Sequence, residues 1–163
     1  MLTHRRKPVS LCLISTDLPL WSVVETAATL YQKDQERFHL LLTEPALSDF
    51  QESDSTPQVT PLPTVITSRL LWLEISPYRV IMTMQGNGQF SYRHQWERGM
   101  YGTSRYWLQN ETDGSNGQLR MRNYTRSLTL SGRPIPEHLR LEYELWSQNV
   151  QLGHYILNLE IHL

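Results

Sequence analysis

Seven residues in the C-terminal part of the chain carry the side chains best suited to recognition: Arg93, Trp96, Arg105, Trp107, Arg120, Arg122 and Tyr124. Arg126, Tyr92 and Tyr106 stand among them. A guanidinium is a planar fork that pairs with a carboxylate through two parallel hydrogen bonds. An indole or phenol beside it adds a rigid stacking surface. Together they suit binding of an acidic, flat or protein-borne group. The competing reading is cross-strand packing of Arg on Trp and Tyr, with Glu97, Glu142 and Glu144 as ion-pair partners.

The chain does not mark a reaction. It has no G-x-S-x-G phrase, and Cys12 lies in the apolar run Val9–Ile14, which suits a buried inert thiol. The six histidines show no H-x-H or H-x3-H spacing, and a single cysteine gives neither a zinc set nor an internal disulfide. Met82, Met84 and Met100 read as core filling. No catalytic residue, metal ligand or cofactor site is expected, and the residues favour a non-enzyme over an enzyme without deciding between them.

Bulk composition narrows the partner. The 163 residues carry a net charge of -1, with 39% hydrophobic and 19% charged side chains. A near-neutral chain disfavours a general nucleic-acid binder, and there is no RNP-like phrase. Thirteen of fifteen basic residues are Arg, and none after position 63 is Lys. No run approaches the ~20 apolar residues of a membrane span. The apolar run after Arg5-Arg6-Lys7 is too short for a signal sequence, so a cytoplasmic protein is expected.

Several elements must position the arginines. Val9–Ser15 reads as a buried strand. Leu20, Val23, Val24, Ala27, Ala28, Leu30 and Tyr31 recur at helical spacing, so 18–33 reads as an amphipathic helix. Phe38–Thr43 reads as a second strand. Residues 1–47 are thus expected to form a β-α-β segment. Residues 48–63, rich in Pro, Ser and Asp, read as a linker or loop. From 64 to 163 the period becomes two, predicting about six or seven strands near 64–75, 78–85, 88–97, 103–110, 117–130, 138–148 and 150–162. The expected fold is α+β, with the antiparallel sheet curling into a barrel or half-barrel. The stripe Arg120, Arg122, Tyr124, Arg126 runs into Leu128 and Leu130, which predicts a bulge or face switch within it.

The Arg/Trp/Tyr-rich antiparallel sheet resembles, in general character, the small calycin-type barrels. These include the lyases that load linear tetrapyrroles onto antenna proteins. Their motifs are absent, and no residue role carries over. The resemblance implies a carrier or lyase for a planar, carboxylate-bearing ligand such as a tetrapyrrole. The residues themselves favour a non-catalytic binding or assembly factor with a protein partner.

Overall fold

The computed structural model describes residues 4–44, 69–86, 90–109 and 116–162. Ten strands run through them: β1 (His4–Ser15), β2 (Trp21–Gln32), β3 (Phe38–Glu44), β4 (Arg69–Ile75), β5 (Arg79–Gln85), β6 (Phe90–Glu97), β7 (Tyr101–Gln109), β8 (Asn116–Ser131), β9 (His138–Ser147) and β10 (Val150–Ile161). Each pairs antiparallel with its sequence neighbours, and β1 pairs with β10, so the sheet closes into a barrel. The closing register runs from Val9↔Ile161 to Ser15↔Tyr155.

This overturns the α+β expectation. There is no helix among the described residues, and residues 4–44 supply three barrel strands rather than a β-α-β segment. The segment read as a helix is β2, held to β1 by pairs from His4↔Tyr31 to Ile14↔Trp21. Its inward positions include Ala28 and Leu30, both buried, while Val23 and Trp21 point outward and are exposed. Apolar residues on both faces of a strand mimic a 3.6-residue period. The β-branched Val23, Val24, Thr26 and Thr29 favour the pleated form instead. The turn after β2 is a hairpin. Asp34 Oδ1 accepts from the Glu36 and Arg37 backbone N–H groups at 2.9 and 2.8 Å.

The later strands fall close to their expected positions. The Gln148-Asn149 reversal is present, with Gln148 at φ 54°. The expected linker, 48–63, lies outside the described residues. The register shifts between Thr125 and Ser127, inside the stripe where a face switch was expected. One extra residue there leaves Arg120, Arg122 and Arg126 exposed but turns Leu128 into the core.

Inside, one layer can be followed from strand to strand: Leu30, Leu40, Leu73, Met82, His94, Ser104 and Met121 are partners in successive pairs. The β2–β5 half of this layer is apolar, and His94 and Ser104 interrupt it. His94 Nδ1 lies 2.7 Å from Ser104 Oγ, which accepts from Asn123 Nδ2 at 2.9 Å. Tyr106 Oη is 3.3 Å from His94 Nε2. The His94 ring stacks on Trp96 with centroids 4.8 Å apart and planes within 5°. This cluster replaces water for a histidine only 4% exposed.

Gly102 sets the approach of β7 to its neighbours. A methyl group there would overlap the Gln95 backbone oxygen and come within 2.8 Å of Asn123 Oδ1. Gly102→Ala is expected to destabilise by about 1–3 kcal/mol in urea unfolding, as overpacking does. Unchanged stability would show that the β6–β7 hairpin adjusts freely.

Burial lowers the His94 pKa from 6.5 to about 3. Between those values the unfolded chain binds a proton that the folded chain does not. Stability is therefore full above the unfolded value and falls as pH drops through it. Moving from about pH 7 to pH 5 is expected to cost about 2 kcal/mol through this group. Thermal melts of the protein and of His94→Gln, compared at both pH values, isolate the effect. An equal loss in both would contradict it.

Candidate functional site

The outer face of β6, β7 and β8 gathers the predicted arginines. Arg93 faces Arg105 across β6–β7, and Arg105 faces Arg120 across β7–β8. Three guanidinium-bearing residues thus form one row at right angles to the strands. Like charges directly opposite one another destabilise a sheet. Among the described residues none of the three has an ion-pair partner, and Arg105 Nε is buried with no hydrogen-bond acceptor. The row continues onto β5 and β4 as Thr83 and Trp72.

The nearby carboxylates serve other cations. Glu144, 9% exposed, takes the Arg126 guanidinium at 2.9 Å and accepts from Trp146 Nε1 at 3.3 Å. Glu142 lies 3.5 Å from Arg140 and 2.9 Å from His154. Glu142 and Glu144 therefore act as ion-pair partners, as the packing reading expected, but for Arg140 and Arg126. They leave the row unneutralised.

The other predicted residues divide by face. Trp107 is on the outer face, opposite Ser91 and Gln118, and is exposed beside the row. Arg122 lies over the Tyr101 ring, 5.4 Å from its centroid, and donates from Nη2 to Gln148 O at 2.9 Å. Tyr124 packs against Tyr101 with centroids 5.0 Å apart. Arg122 and Tyr124 thus brace the β9–β10 turn and the start of β7. Trp96 is separated from the rest. It points into the barrel and is fully buried.

Sequence reasoning missed the interior cluster. The pairing of Ser104 with His94 is a nucleophile–base geometry that no spacing announced, because the two meet only across β6–β7. Its chemistry is poor. Ser104 is fully buried, and desolvation keeps His94 neutral well below neutral pH. Tyr106 is pushed up to about 12, first by burial and then by Tyr155, and Tyr143 is raised mainly by burial. These phenols stay protonated and serve packing and hydrogen bonding. The buried Trp96 Nε1, Asn123 Oδ1 and Thr125 Oγ1 have no partner in the structure. Among the described residues no group of three His, Cys, Asp or Glu side chains gathers to hold a metal. No helix there is long and apolar enough to cross a membrane.

No family model matches the chain, and no curated protein matches it. Among solved structures the chain is similar to the ywiB protein from Bacillus subtilis, with a TM-score of 0.59 and 12% sequence identity. The match covers 97% of this chain and 94% of that one. At that identity the likeness is one of fold: the whole closed barrel has a counterpart in a bacterial protein.

Proposed function

We propose that the protein is a cytoplasmic, non-catalytic binding or assembly factor that engages a protein partner through the outer face of β6–β8. The observation that carries this reading is the row Arg93–Arg105–Arg120, aligned in register without a carboxylate among the described residues. A sheet that placed three like charges opposite one another for packing alone would lose stability by doing so. An external anion removes that cost. Trp107 beside the row adds the aromatic and Arg combination that dominates interface hot spots.

The alternative, a carrier for a planar acidic ligand, has less support. A carboxylate inside the barrel would need a cation there, and the described inward-facing buried residues are apolar or neutral, while the buried Glu144 lies on the outer face with Arg126. The unpartnered buried atoms Trp96 Nε1, Asn123 Oδ1 and Thr125 Oγ1 are the feature that would favour a small neutral guest.

Two measurements test the proposal. Arg105→Gln is expected to leave the unfolding free energy unchanged or raise it, by up to about 1 kcal/mol of relieved repulsion. A clear loss of stability would make Arg105 a structural group. Native mass spectrometry of protein isolated gently from its own cells should show a second polypeptide. The combined R93Q, R105Q and R120Q variant should lose it while keeping its melting temperature. A small bound mass retained by both forms would overturn the reading in favour of a carrier.

A further inference from the structure

The closed barrel restricts how a partner can bind. Every described strand is paired on both sides, so among the described residues no edge is free to accept an added strand. A partner must read side chains. What the row of arginines reads is set by its pitch. Facing residues on neighbouring strands stand about 4.5–5.5 Å apart. Arg93 to Arg120 therefore spans roughly 10 Å in two steps.

Two kinds of acidic segment could lie along that line. In an extended chain, same-face carboxylates recur about every 6.8 Å, so three of them span roughly 13 Å. On an α-helix, residues at i, i+3 or i+4, and i+7 are about 5–6 Å apart, and the three span about 10.5 Å. The helical repeat matches the arginine row. The row is also short, so about two turns suffice before the convex barrel falls away from a straight rod. Trp107, two residues from Arg105 on the same face, flanks one side and offers an exposed ring to an apolar residue of such a helix.

We propose, resting on the reading of this face as a partner surface, that its occupant is an acidic α-helix of a partner protein, lying across β6–β8. Carboxylates at i, i+3 or i+4, and i+7 pair with Arg93, Arg105 and Arg120, and an adjacent apolar residue covers Trp107. Charge complementarity selects the sign, and pitch selects the helix. A single-stranded nucleic acid would meet the sign but not the pitch, and the chain's net charge of -1 gives it no wider basic field.

The test uses the full chain and synthetic probes, measured by fluorescence anisotropy at low salt. The first probe is a helical peptide of about four turns carrying Glu at the three positions beside one Leu. The second has the same composition with its Glu residues spread around the helix. The third is an extended, proline-interrupted isomer, and the fourth a single-stranded oligonucleotide. The first should bind about tenfold more tightly than the second and third, the sum of three modest pairs, two exposed and one half-buried. R105Q should remove the preference, and Arg140→Gln, which touches a different carboxylate, should not. Equal binding of the isomers, or tightest binding of the oligonucleotide, would overturn the helix. The broader reading fails separately. It falls if the R93Q, R105Q and R120Q variant keeps every polypeptide that the native protein carries. Loss of a native partner without a helix preference leaves the face standing and refutes only its occupant.

Discussion

Closure of β1 onto β10 is the constraint on which the rest of this structure depends. Seven consecutive pairs join the two ends of the described chain, so no described strand keeps a free edge. An open sheet of ten strands would expose two rows of unpaired amides and carbonyls. Closure removes both and gives every residue one of two destinations, inside or outside. Side-chain parity then decides function. Arg93 and His94 are adjacent in sequence, yet one faces solvent in the arginine row and the other is sealed beside Ser104.

Parity holds only while the register holds, and the register is reset in two places. The shift between Thr125 and Ser127 lets the exposed arginines of β8 precede buried Leu128 on one continuous strand. The second, between Gln151 and Gly153, separates the exposed start of β10 from Leu157 and Leu159 in the core. Each bulge changes which face a hydrophobic run occupies without breaking the strand. β8 can therefore serve the surface at one end and the core at the other.

The C-terminal strands were legible because alternation was clean. Leu139, Leu141, Tyr143 and Leu145 all proved buried, and the oddity at Leu128 pointed to the bulge. β2 was not legible because it is apolar on both faces, with Val23 and Trp21 outside and Ala28 and Leu30 inside. Its strand state comes from pairing with β1 and β3, which is information held elsewhere in the chain. The candidate site was half legible. Arg and Trp content marked the strands, and alternation separates Trp96 from Arg93. The alignment of Arg93, Arg105 and Arg120 depends on the register of three strands, which local patterns do not state.

The two faces of β6–β8 handle polar groups in opposite ways. Inside, one chain of polar groups answers itself, while Trp96 Nε1, Asn123 Oδ1 and Thr125 Oγ1 stay unpaired. Asn123 donates to Ser104, Ser104 meets His94, and His94 meets Tyr106, so burial is tolerated without charge. Outside, carboxylates are matched to Arg126 and Arg140 but not to the central row. A protein able to neutralise two arginines on the same sheet has the means to neutralise three more. Glu at Thr83 or Gln118, each one strand or two residues from the row, would do so at no steric cost to the core. The row is left positive where a local carboxylate was easy to place, which supports the proposed reading of a charge kept for an external anion.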